Sequence, residues 1–78
     1  MSILDLRGED CPGPLVKTIR ALAKMRKGEK IVVLTTSKLC VELLEQTVES
    51  LKIAKIEVQN RENFYEVYLE KMVEEMKI

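Results

Sequence analysis

The chain reads as an α/β (α+β) two-layer sandwich of order β-α-β-α-β-β, a four-stranded mixed sheet with two helices on one face. Three observations predict it. Apolar residues alternate with polar ones in "ILDLR" (3–7) and in the pair "AKIEVQN" (54–60) and "NFYEVYLEK" (63–71). Helical periodicity takes over between the early strands, and strands alternating with helices favour right-handed crossovers onto one face of a single sheet. Finally, 78 residues with 46% hydrophobic and 33% charged side chains make one small globular domain, whose ceiling is two layers.

The elements follow in order. In 3–7, Leu4 and Leu6 share one side of a half-buried strand that Gly8 breaks. From Leu15 onward, Leu15, Val16, Ile19, Leu22 and Ala23 form a helical stripe, with Lys17, Arg20 and Lys24 opposite. Pro12 suits the first helical position, where a missing N–H costs nothing, and Gly28 is a natural stop. "KIVVLTT" (30–36) is β-branched and strand-like, and Ser37 is placed to cap a second helix. On that helix Cys40, Val41, Leu44, Val48 and Leu51 share a face. "NREN" then joins the last two strands as a hairpin. The tail "KMVEEMKI" spaces Met72, Val73 and Met76 like a short helix, so the expected division is a single domain over 1–71 and a tail over 72–78. If Tyr65, Val67 and Leu69 face the helices, Phe64 and Tyr68 face away, as an aromatic surface for a partner or dimer, or one covered by the tail.

Composition narrows the function. Net charge is zero, which argues against a nonspecific nucleic-acid binder. Charge is nonetheless uneven: between Cys11 and Gly28 lie Lys17, Arg20, Lys24, Arg26 and Lys27 with no acid. No signal peptide opens the sequence and no apolar run approaches the ~20 residues of a membrane helix, so the expectation is a cytoplasmic protein without membrane contact. The absence of histidine removes a Cys-His dyad and imidazole zinc sites, and two thiols are too few for a closed metal site. The expectation is therefore no metal and no cofactor. Two cysteines 29 positions apart, outside CxxC spacing, are expected as free thiols in a reducing cytosol.

Chemistry concentrates at "GEDCPGPLVK" (8–17). With a helix beginning at Pro12, Cys11 occupies the N-cap and faces the positive end of the helix dipole. That favours the thiolate and lowers its pKa below about 8.5. Pro12 and Pro14 carry no N–H, leaving Gly13 and Leu15 as donors, and Gly13 leaves room for a molecule to approach the sulfur. Glu9 and Asp10 oppose the thiolate while Arg7 offsets part of that, so the net sign stays open. Cys11 reads either as a reagent or as a small residue at a helix start.

"LDLRG", "CPGPLVKTIRAL" and "GEKIVVLTT" together resemble the TusA-like (SirA-like) sulfur-carrier family, whose signature is a Cys-Pro-x-Pro motif after a first strand. The resemblance runs to about Lys71. It implies a sulfurtransferase-type persulfide carrier, with Cys11 as the carrier nucleophile and Pro12, Gly13 and Pro14 shaping its loop. It implies two protein partners, a persulfide donor and a sulfur acceptor; the neutral charge argues against nucleic acid, and the aromatic face leaves a monomer or weak dimer. Thr36-Ser37-Lys38 stands where well-studied members carry an acidic stretch, so the resemblance names no acceptor or pathway. Arg7, Lys17 and Arg20 are candidate contacts to an acidic partner or anionic sulfur species, against the plainer reading of a solvated helix face. Cys40, on the apolar stripe of the second helix, reads as a buried core cysteine rather than a resolving thiol. The rival reading is a non-catalytic interaction or regulatory domain using the open sheet face and the basic first helix.

Overall fold

A computed structural model describes residues 2–74. Its elements are β1 (Ser2–Asp5), α1 (Gly13–Lys24), β2 (Lys30–Thr35), α2 (Lys38–Leu51), β3 (Ala54–Asn60) and β4 (Tyr65–Lys71). The sheet runs β1-β2-β4-β3, with β1 parallel to β2 and the other two pairings antiparallel. This is the expected mixed sheet with two helices, in the expected order. β1 stops at Asp5 rather than Arg7, although the Leu6 N–H still donates to the Leu34 carbonyl at 2.8 Å. Arg7 instead turns its guanidinium back onto Asp5, at 2.7 Å.

Register explains the core. Leu4, Val33, Val67 and Val58 lie in one row across the sheet, and Ile31, Leu69 and Ile56 in another. Both rows face the helices, where they meet Leu22, Val41 and Val48 in one apolar cluster. α2 buries Cys40, Val41, Leu44 and Val48 as its periodicity predicts, but Leu51 at its last turn is exposed. α1 is rotated from its predicted stripe. Pro14, Thr18 and Leu22 face inward, flanked by half-buried Leu15, Ile19, Ala21 and Met25, whereas Val16 and Ala23 are exposed. Thr18 is buried there with a hydroxyl that finds no hydrogen-bond partner among the described residues.

On the other face of the sheet both aromatic rings are half-buried. Tyr68 is half-buried there beside Val32 and Glu57, its hydroxyl donating to Glu66 Oε2 at 2.7 Å. Phe64 lies in the turn before β4, also half-buried, with the Arg7 guanidinium 5.1 Å from its ring centre. Met72, Val73 and Glu74 are not helical, and residues 75–78 of the predicted tail helix lie outside the described residues.

Among the described residues, one charged side chain is fully internal. Lys71 is 1% exposed, and its ammonium donates to the carbonyls of Leu22 and, at 2.9 Å, Met25. Both carbonyls lie at the end of α1, where the helix dipole is negative; the Leu22 oxygen also accepts the Met25 N–H at 3.1 Å. The cation thus satisfies two acceptors and favours the dipole, which offsets its desolvation. Backbone bonds from Lys71 N–H to Glu29 and from Gly28 N–H to Lys71 fasten β4 to the same corner. Lys71→Met keeps the apolar stem but removes two charge-assisted bonds and leaves the Met25 carbonyl without its ammonium partner, and should lower stability by about 2–3 kcal/mol. Urea denaturation followed by circular dichroism will measure it; a midpoint matching wild type would show that the ammonium contributes nothing.

Candidate functional site at the start of two helices

β1 and β2 are parallel neighbours, so the loops leaving their C-terminal ends emerge on one edge of the sheet, and each runs directly into a helix. The loops are tied together: the Gly8 N–H donates to Thr36 Oγ1 at 3.0 Å. Gly8 holds a positive φ of 85°, a conformation glycine takes without a Cβ clash, and this turns the chain after β1 toward the second loop.

Cys11 lies one residue further from α1 than its sequence implies. The Gly13 N–H donates to the Asp10 carbonyl at 2.9 Å, closing a turn over residues 10–13. Helix α1 therefore begins at Gly13, with Pro12 at its N-cap and no side-chain cap. The Cys11–Pro12 peptide bond is cis. Of the two donors predicted for the sulfur, Gly13 is committed to Asp10. That leaves the Leu15 N–H, which has no backbone acceptor among the described residues. Pro14 is tolerated in the first turn because its N–H would have no helical acceptor anyway.

The space beside Gly13 is also spoken for. A Cβ there would come within 3.2 Å of Glu9 Oε1, the same oxygen that accepts from Lys17 Nζ at 2.7 Å. Lys17 is therefore engaged by a carboxylate, and the Glu9 charge that would repel a thiolate is partly neutralised. Asp10 is exposed. Arg7 likewise has a partner: its hydrogen bond to Asp5 holds that carboxyl below the usual carboxylate range. Arg20 is exposed on α1, and no ion pair reaches it among the described residues.

The largest departure concerns the cysteines. Cys11 and Cys40 are joined as a disulfide, with α-carbons 5.6 Å apart, inside the roughly 4.4–6.8 Å such bridges span. The free thiols expected from the composition are thus paired. Cys40 is buried, as its helical stripe predicts, but it belongs to the site as well as to the core. Its placement has a local cause. Ser37 caps α2 by accepting the Cys40 N–H at 3.2 Å, and the Thr35 hydroxyl in turn accepts the Ser37 N–H at 3.1 Å. Cys40 therefore sits in the first turn of α2, as Cys11 sits just before the first turn of α1. Neither first turn carries an acidic residue. Two positive helix ends thus flank one pair of sulfurs. The sequence shows each cysteine at a helix start after a strand, and the fold adds that those two strands are parallel neighbours.

Chemically, the pair is asymmetric. Cys11 is half-exposed, whereas Cys40 is 0% exposed. Of the two residues, Cys11 presents surface to solvent and Cys40 does not. Among the described residues no group of three or more metal-ligating side chains comes together, and no helix is long and apolar enough to cross a membrane.

Comparison with known proteins agrees with this architecture. A protein of Archaeoglobus fulgidus whose given name proposes a sulfur carrier is 28% identical over 72 residues, covering 92% of this chain and 99% of its own length. A protein of Thermotoga maritima named in the same way is 39% identical over 56 residues, 72% of this chain and 71% of that one. The crystal structure of a SirA-like protein from Desulfitobacterium hafniense superposes with a TM-score of 0.82 at 23% identity, over 94% of this chain and all of the other, and so shares its fold. Residues 2–71 match the family model described as sulfurtransferase TusA, and with that span covering every strand and both helices, the chain belongs to the TusA sulfurtransferase family.

Proposed function

We propose that this protein carries sulfane sulfur as a persulfide on Cys11, between a donor protein and an acceptor. The observation that carries the reading is the accessibility of Cys11 at the start of α1, set against the burial of Cys40. Membership of the TusA family and relatives named as carriers support it. In the step proposed, the reduced Cys11 thiolate attacks the outer sulfur of a donor persulfide, R–S–SH. The donor S–S bond breaks, R–S⁻ leaves, and Cys11–S–SH forms; an acceptor nucleophile then takes the outer sulfur and restores the thiolate. Pro12, Gly13 and Pro14 shape the turn that presents the sulfur, and Leu15 offers its N–H to the anion. Arg20 is the cation we assign to partner contact, because Arg7 and Lys17 are held by Asp5 and Glu9. The working unit is residues 1–71, acting in the cytoplasm, where dithiol reductants keep Cys11 free.

The test is direct. Fully reduced protein is mixed with a small-molecule persulfide and trapped within seconds by an alkylating agent. Intact mass should show one added sulfur, which fragmentation places on Cys11. No added sulfur at any mixing time, on wild type or on Cys40→Ala, would overturn the reading.

A further inference from the structure

We infer that Cys40 is a resolving thiol, which converts the loaded carrier into the Cys11–Cys40 disulfide and releases the carried sulfur as hydrosulfide. This rests on the persulfide-carrier reading of Cys11 and adds a second fate for the sulfur when no acceptor is docked. Three features of the site carry it. The α-carbons of the two residues stand 5.6 Å apart and their sulfurs are bonded, so Cys40 reaches Cys11 without rearrangement of the fold. Ser37 and Thr35 hold the start of α2 in place through side-chain bonds to backbone N–H groups, which fixes where Cys40 points. Burial of Cys40 confines its chemistry to the one sulfur it touches.

The step balances without an outside oxidant. The Cys40 thiolate attacks the Cys11 Sγ of Cys11–S–SH. The bond between Cys11 Sγ and the outer sulfur breaks, its electron pair leaves with HS⁻, and the Cys11–Cys40 bond forms. The sulfane sulfur is reduced to sulfide while the two cysteines are oxidised. Returning to the dithiol needs a reductant of dithiol class. Because only Cys11 is accessible, that dithiol attacks Cys11 and Cys40 is the leaving group. Cys40 sits in the first turn of α2, where the positive end of the helix dipole favours that leaving group as an anion.

Proximity sets the expected rate. A thiol held next to its target acts at an effective concentration on the order of millimolar or above, against micromolar for thiols on other copies of the chain. The Cys11 persulfide should therefore disappear about a hundredfold or more faster in wild type than in Cys40→Ser at micromolar protein.

Reduced wild type, Cys40→Ser and Cys40→Ala are freed of reductant under inert gas and given one equivalent of a small-molecule persulfide, with no acceptor. Persulfide and disulfide are followed by alkylation and intact mass, and hydrosulfide by a sulfide-trapping dye. Wild type should release one sulfide per disulfide formed, whereas both variants should keep the added sulfur on Cys11. A wild-type chain that retains its persulfide with neither sulfide nor disulfide appearing would overturn the role of Cys40 and leave the carrier intact. That outcome needs no variant to fold. Absence of added sulfur on both variants, together with no sulfide from wild type, would overturn the carrier reading and this one with it.

Discussion

Cys11→Ser should abolish sulfur uptake, by at least about a thousandfold, because a serine hydroxyl needs a neighbouring general base that this site does not hold. The chain has no histidine, and the groups nearest the turn are Glu9, already bonded to Lys17, and the exposed Asp10. A cysteine at the same place needs no base, since a thiol is already a few per cent ionised at neutral pH and sulfur is intrinsically nucleophilic. Cys40 cannot substitute, because no donor reaches a sulfur that is 0% exposed. The variant also loses the disulfide, so its proper reference is reduced wild type. Under reducing conditions the two should unfold within about 0.5 kcal/mol of each other, as expected of a near-isosteric change at a half-exposed turn. Uptake measured by alkylation and intact mass would then report chemistry and not stability. Undiminished uptake by a folded Cys11→Ser chain would refute the assignment of Cys11.

Reduction of the Cys11–Cys40 bond should cost about 3–4 kcal/mol of stability, the chain entropy returned to the unfolded state when a loop of this length is opened. The bridge spans 29 positions, more than a third of the chain, and encloses α1 and β2. For a domain of this size such a loss corresponds to a fall in melting temperature on the order of 15 °C or more. It is also a large share of the roughly 5–15 kcal/mol that folded proteins possess. The core cluster contains neither sulfur as an essential link: Leu6, Leu22, Val33, Val41, Val48 and Val67 pack together independently of it. Reduced protein should therefore remain folded, with a cooperative transition at lower denaturant. Scans with and without a dithiol reductant will show this, with Cys40→Ala as a chain that reductant should not shift. Identical midpoints in both states of wild type would mean that the bridge constrains nothing. The functional consequence is that the sulfur-accepting form is the less stable of the two.

Much of this architecture was readable along the chain. Alternation in 54–60 and 63–71 marks a hairpin, because period-2 patterning leaves few other ways to bury Ile56, Val58, Val67 and Leu69 on one face. Ser37 before Lys38-Leu39-Cys40 marks a helix start, because a hydroxyl there meets an orphan N–H. Even the inward turn of Lys71 had a signal, since it continues the phase of Val67 and Leu69. A charged residue is ordinarily assigned to solvent, and nothing local shows the pair of carbonyls that α1 brings to it from more than forty positions away.

What stayed hidden depends on how elements meet. The rotation of α1 puts Pro14 and Thr18 on the inner face and leaves Val16 and Ala23 exposed, which is set by what the helix packs against and not by its own periodicity. The start of that helix is decided by the Asp10–Gly13 turn, which moves the N-cap from Cys11 to Pro12.

The residues in order determine the element types, their succession and the cysteine that resembles a carrier's, since each rests on periodicity or capping within a few positions. Only the tertiary structure makes a site of them. Parallel pairing of β1 with β2 puts two helix starts on one edge, and so brings together Cys11 and Cys40, which no local pattern connects. Closing a loop of that length costs entropy that only the packed sheet and helices recover, and contacts of this kind appear once the whole fold has formed.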